Sequence, residues 1–173
     1  DLDYAALMES RVRLRLWGDG AWPEEDFTLA GNRADLEEHE REFHAREAFA
    51  YTVLSSDESA CEGCVYINPL ARFIAGRRID ASAATIEVDE RAASVSFWVR
   101  DSAQARSLDI ELLTGLLGWL RSEWPFSSIS FLSNNQLLRD RQNYRSAGLD
   151  EPVLMPSADR SFSWELWKLT SSN

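Results

Sequence analysis

The stretch "FWVRDSAQARSLDIELL" (Phe97–Leu113) decides how the rest of the chain is read. Just before and into it, Val95, Phe97 and Val99 alternate with Ser94, Ser96 and Trp98, the period-two pattern of a strand with one mostly apolar face. From Leu108 onward the apolar residues Leu112, Leu116, Trp119 and Leu120 recur at helical spacing, so "SLDIELLTGLLGWLRSEW" predicts a helix started by Ser107 and packed against a sheet. A short polar turn joins the two. A strand that turns into a helix presents free N–H groups and the positive end of the helix dipole to an anion. The glycines that would let a phosphate come closest to the backbone are missing from this turn.

Upstream, "YAALMESRVRLRLW" predicts a first helix that stops at "GDG". A second helix follows, with Thr28 as its N-cap, Leu29, Leu36 and Phe43 at seven-residue spacing, and "LEEHERE" as its solvated face. "FAYTVL" (Phe49–Leu54) and "CVYINPL" (Cys64–Leu70) predict a hairpin, and "ATIEVD" a further strand ahead of "ASVSFWVR". Downstream, "SISFL" predicts a strand, "NNQLLRDRQNYRSAG" a helix with Gly148 at C′, and "FSWELWKLT" an alternating last strand. The order predicts an α/β (α+β) fold: a mixed, mostly antiparallel sheet of six to seven strands flanked by about four helices, in one domain over residues 1–173.

Composition narrows the function classes. The 173 residues include seven tryptophans, more aromatic surface than a disordered chain could shield. A formal net charge of −11 repels nucleic-acid phosphate and anionic lipid, so neither is an expected partner. No apolar run reaches the ~20 residues of a membrane span, and "DLDYAALMES" has no basic region leading into an apolar one, so a cytoplasmic location is expected. Cys61 and Cys64 make half a zinc site. His39 and His44, five apart, point about 140° away from each other on a helix, so no metal is expected and Cys64 reads as a small buried hydrophobe.

This element order, together with "FTLAGN", "FAYTVL", "GCVYINPL", "SFWVR" and "WLRSEWPF", resembles a bacterial branch of the GNAT superfamily of N-acetyltransferases over nearly the whole chain. The resemblance implies a GNAT-like fold, acetyl-CoA as acyl donor, an amine of a small molecule or peptide as acceptor, and direct attack of the neutral amine on the thioester. The family's pyrophosphate motif is Gln or Arg, two residues, Gly, one residue, then Gly or Ala, with a leucine pair two residues later. Gln104, Ala105, Arg106, Ser107, Leu108, Asp109 and Leu112–Leu113 fall in that register, with Ser107 and Asp109 at the glycine positions. Serine is small and a preferred N-cap, whereas Asp109 sets a negative charge beside the phosphates. Arg100 and Arg106 are either phosphate ligands or surface charges.

The resemblance further implies that a backbone N–H near Phe97, Trp98 and Val99 polarises the thioester carbonyl. Tyr144 stands four residues before Gly148–Leu149 and is either the acid for the departing thiolate or a packing residue; the family's upstream asparagine corresponds to Asn134 or Asn135. Glu87 and Asp89 are the nearest carboxylates for a general base, or else surface charges. Trp17 and Trp22, among Asp19, Glu24, Glu25 and Asp26, suit a cationic amine, or belong to the core. A GNAT-like module with a lost donor site, working as a binding or regulatory domain or a homodimer, is the competing reading.

Overall fold

The computed structural model describes residues 1–18, 20, 22–76, 88–156 and 163–169. The chain divides into two compact units, Asp1–Ile67 with Phe97–Asp109, and Asn68–Ser96 with Ile110–Asn173. In chain order the described elements are α1 (Leu2–Trp17), α2 (Leu29–Ala45), β1 (Phe49–Leu54), β2 (Cys61–Pro69), α3 (Leu70–Gly76), β3 (Ala92–Val99), α4 (Asp101–Ala105), α5 (Leu108–Glu123), β4 (Ser128–Asn134), α6 (Leu138–Ser146), β5 (Val153–Pro156) and β6 (Ser163–Lys168). The strands hydrogen-bond in the order β1-β2-β3-β4-β6-β5. β3 and β4 run parallel, whereas β1 with β2, β4 with β6 and β5 with β6 are antiparallel. The expected mixed sheet is present. The short helices α3 and α4 and the strand β5 were not expected, and most of "ATIEVD" lies outside the described residues.

In the first unit, α1 buries Ala6, Leu7 and Leu14, spaced to share one face, against Cys61 and Cys64 of β2 and Trp98 of β3. The helix ends at Gly18, whose N–H donates to the Leu14 carbonyl, as the "GDG" run predicts. α2 is capped by Thr28, whose hydroxyl accepts from the Gly31 N–H at 3.1 Å. Its apolar stripe is shallower than the seven-residue spacing suggests. Asn32 and Glu42 are its buried residues, while Phe43 is exposed and meets Phe49 and Tyr51 edge-on at 5.4 and 5.6 Å.

β2 starts at Cys61, three residues earlier than the apolar run implies, and Leu70 turns away to open α3. Gly63 explains why β2 can lie where it does: a Cβ there would stand 2.0 Å from the Trp98 carbonyl oxygen and 2.8 Å from the Val99 Cα. In the second unit Leu70, Ala92, Leu132, Met155, Trp164 and Leu166 form the core, edged by Phe73, Ile74 and Val153. The buried face of α5 is Asp109, Leu113, Leu116, Leu117 and Leu120, rotated from the predicted stripe so that Leu108, Leu112 and Trp119 are half-buried. Asp109 thereby shares the inward face of its helix.

Candidate functional site

The turn after β3 is built from two helical pieces broken at Ser107. Arg100 is extended, α4 makes a little over one turn, Arg106 ends it, and α5 begins at Leu108. The break is possible because Ser107 sits at φ 66°, in the left-handed region. Glycine reaches that region freely, and a side chain there costs about 1–2 kcal/mol. Ser107 therefore adopts a backbone conformation that glycine reaches at no steric cost. Ser107, Arg106 and Ala105 are exposed and Gln104 and Leu108 half-buried, whereas Asp109, at 4% exposure, is buried in the first turn of α5. A carboxylate in a helix first turn is favoured by the dipole.

The N-terminal amides of α4 are already taken by α1. The Ser10 hydroxyl accepts from the Asp101 N–H and Glu9 Oε1 from the Ser102 N–H, both at 2.8 Å. Glu9 also accepts two hydrogen bonds from Arg100, through Nε at 2.9 Å and through Nη2. These bonds, Arg100 first and then the Ser102 N–H, lower the Glu9 carboxyl from 4.5 to about 2. Arg106 pairs with the mostly buried Glu62 at 2.9 Å, with its own side chain 60% exposed, and Arg13 pairs with Asp101 at 2.8 Å. Each arginine of the turn thus has a carboxylate of its own.

Phe97, Trp98 and Val99, at the end of β3, are buried. The Trp17 indole N–H donates to the Phe97 carbonyl at 3.1 Å, and Arg13 Nη2 donates to the Val99 carbonyl. Trp17 and Trp22 are half-buried in an aromatic cluster: their rings lie 6.3 Å apart, Trp17 is 5.9 Å from Tyr66, and Trp22 is 6.1 Å from Phe27. The Trp22 N–H donates to Asp35 at 3.3 Å. Beyond them, His39 meets the Tyr66 ring at 5.4 Å on the wall of an open cleft of about 320 Å³, which Glu40, Phe43, Tyr51 and Cys64 also line. Trp17 and Trp22 themselves do not line this cleft.

The second unit holds Tyr144 and the asparagines. The Tyr144 ring packs 5.8 Å from both Phe131 and Trp167, its hydroxyl donates to the Leu132 carbonyl at 3.1 Å, and the residue is 2% exposed. Burial, then the Asp140 charge, raises its phenol well above the ordinary value. This is the environment of a packing residue. The Asn134 side-chain carbonyl accepts from the Gln136 N–H at 2.8 Å, a turn that delays α6 until Leu138. Asn135 accepts from the Ser163 N–H at 3.2 Å and so ties the loop to β6. Glu87 lies outside the described residues. Asp89 accepts from the Ser127 hydroxyl and from the Arg91 N–H.

Two groupings went unpredicted. Fully buried Glu165 on β6 pairs with Arg141 of α6 at 3.0 Å and accepts from the Ser133 hydroxyl at 2.9 Å, while the Trp167 N–H donates to Ser133 at 2.8 Å. The signal was present, since Glu165 stands in "SWELW" between two buried tryptophans. In the first unit, Asp3 of α1 meets Cys61 and Cys64. Their mutual hydrogen bond lowers the Cys61 thiol and raises that of Cys64, which burial and the Asp3 charge raise further. No short-range sequence signal links Asp3 to cysteines 58 and 61 residues away.

No family model matches the sequence, and no curated protein matches it. Solved structures do match in shape. The ribosomal L7/L12 alpha-N-protein acetyltransferase RimL, in complex with coenzyme A, superposes with a TM-score of 0.70 at 11% identity, covering 95% of this chain and 84% of that one. The ribosomal-protein-S5-alanine acetyltransferase from Vibrio fischeri gives 0.68 at 13% identity, over 96% and 85%. The spermidine N-acetyltransferase from Vibrio cholerae, in complex with CoA and spermine, gives 0.64 at 11% identity, over 95% and 86%. The chain has the fold of the GNAT N-acetyltransferases.

Proposed function

We propose that this chain is an acyl-CoA-dependent N-acyltransferase, with acetyl-CoA as donor and an amine of a small molecule or peptide as acceptor. The observation that carries this reading is the left-handed Ser107, which breaks the chain after β3 so that α4 ends at Ala105 and α5 starts as a separate helix at Leu108. In this reading the pyrophosphate lies against the turn Gln104–Leu108 and is held by the α5 N-terminus and its helix dipole, because the N–H groups of Gln104, Arg106 and Ser107 already donate to the Arg100, Ala103 and Gln104 carbonyls. Arg106, exposed and held by one carboxylate, swings from Glu62 to the phosphate. Arg100 stays with Glu9.

The donor supplies an activated acyl group. The protein's part is to hold it, with a backbone N–H between Phe97 and Val99 donating to the thioester carbonyl; such placed donors are each worth about 2.7–4 kcal/mol. The Trp17 bond to the Phe97 carbonyl and the Gly63 approach to Trp98 hold that strand segment still. The proton for the departing thiolate is not assigned to Tyr144, because its hydroxyl is buried and already bonded to Leu132. Amine acceptors in the fold neighbours' names, a ribosomal-protein alanine and spermidine, support an amine acceptor here.

The second reading is a non-catalytic module with an altered donor site. It is favoured by the pairing of Arg100 and Arg106 with Glu9 and Glu62, and by the buried Asp109. Thermal unfolding with excess acetyl-CoA, backed by calorimetric titration with CoA, separates the two. A ligand at 100 times its Kd adds about 2.7 kcal/mol of stability, so the enzyme reading expects a clear saturable rise in Tm. A silent titration at millimolar CoA overturns it in favour of the module.

A further inference from the structure

The two thiols of the chain and one carboxylate come together at a place that the acyl-transfer reading does not use. In a regular strand, residues three apart face opposite sides. β2 is irregular here: its register with β1 steps from Val53↔Gly63 to Leu54↔Cys61, leaving Glu62 unpaired. That extra residue shifts the alternation, and Cys61 and Cys64 reach the same side of the strand. The first turn of α1 delivers Asp3 from above. Its Oδ1 lies 3.2 Å from Cys64 Sγ and 3.7 Å from Cys61 Sγ, and the three ligand atoms are all within 4.8 Å of one another.

The two sulfur–oxygen separations straddle the edge of a coordination tetrahedron, and the sulfurs lie within 4.8 Å of each other. Bonds of about 2.3 Å to sulfur and about 2.0–2.2 Å to oxygen require S···S near 3.8 Å and S···O near 3.5 Å. The cysteines are free thiols, both buried, and Cys64 also forms part of the cleft wall, which provides an entry path. Two thiolates and a carboxylate exceed a divalent charge by one. Arg100 lies nearby, its Nη1 donating to the Cys61 carbonyl at 3.4 Å, but its charge is already matched by Glu9, so the occupied site would carry one net negative charge. Two sulfur ligands favour a zinc-class ion over magnesium or calcium.

We propose that Asp3, Cys61 and Cys64 are a three-ligand site for a zinc-class divalent ion, with its fourth position left to water or a ligand entering from the cleft. The expectation of no metal counted only cysteine and histidine, and the third ligand is an aspartate from the far end of the unit. On binding, each S–H bond is replaced by a sulfur–metal bond, and two protons leave to solvent. The ion would clip α1 to β2, stabilising the fold in proportion to its affinity.

The test uses the full chain, reduced and metal-free, titrated with cobalt(II) and then zinc(II). One equivalent of cobalt should produce a thiolate-to-metal charge-transfer band with release of two protons, and zinc should bleach it. Cys61→Ser and Cys64→Ser should abolish the band. Asp3→Asn, in the part-exposed first turn of α1, should weaken binding at least about tenfold. Should the serine variants fail to fold, the wild-type titration and Asp3→Asn decide alone. Absence of the band at excess cobalt in chain with two titratable thiols overturns the site, and wild-type affinity in Asp3→Asn overturns the aspartate as a ligand. None of these readings depends on whether CoA binds.

Discussion

The turn from Arg100 to Asp109 and the corner from Leu132 to Tyr144 both carry residues that spacing alone singles out, and they end in opposite environments. In the turn, Ser107 keeps a left-handed backbone and its neighbours Ala105 and Arg106 are open to solvent. At the corner, Tyr144 is buried with its hydroxyl bonded to a main-chain carbonyl, and Asn134 and Asn135 are spent on loop amides. A match in a loop fixes backbone shape, which the sequence encodes locally. A match on a helix fixes only a position along the axis, and core packing decides what that side chain meets.

The largest effect should come from Tyr144→Ala, which empties a core site and should cost about 3–5 kcal/mol in urea unfolding. Tyr144→Phe keeps the ring and should cost about 1 kcal/mol with kcat unchanged. A fall in kcat of the 10²–10⁴-fold typical of a lost general acid would break the comparison and return Tyr144 to the chemistry. Gly63→Ala comes next. The new Cβ would meet backbone, which has no rotamer to yield, and a loss of about 1–3 kcal/mol is expected.

Within the turn, Ser107→Gly combined with Asp109→Asn should tighten CoA about tenfold, or 1.4 kcal/mol, by relaxing the backbone and removing a negative charge from the helix start. Unchanged affinity in calorimetric titration would mean that the turn is not the phosphate site. The smallest effect belongs to Glu9. Its carboxyl is lower in the folded chain than its ordinary 4.5, so its pairing stabilises the fold above that pH and the benefit is lost as pH falls towards 2. For this partly exposed pair the contribution is about 1 kcal/mol. Glu9→Gln should lower Tm at neutral pH by the equivalent of that contribution and flatten the pH dependence of Tm between 4.5 and 2, where wild type and variant converge.

Much of the architecture was legible because it rests on local pattern. The Thr28 cap, the glycine stop after α1, the β1–β2 hairpin and the left-handed Gly148 after α6 are each specified within a few residues. What escaped was set by partners distant in sequence. Asp109 reads as a helix-start carboxylate set beside the phosphates, yet it falls in step with Leu113, Leu116 and Leu120 and turns inward. Arg100 and Arg106 read as free cations, but Glu9 and Glu62 lie 91 and 44 residues away. Trp17 and Trp22 read as acceptor-facing aromatics or as core, and only the folded chain shows them in an aromatic cluster with their indole N–H groups bonded to Phe97 and Asp35. Charge pairing and face selection depend on the folded neighbourhood, which no window of sequence contains.

The burial of Cys61 and Cys64 has a practical side. They are the only two cysteines in the chain, both lie in β2 of the first unit, and the second unit has none. Cys64 can be reached from the cleft, but Cys61 does not line it, so a thiol reagent added to the reduced protein should label Cys61 only when that strand is uncovered, and the slower of the two labelling rates is a clock for local opening of one unit. Read beside amide exchange in the other, it would time the two units separately without introducing a single probe.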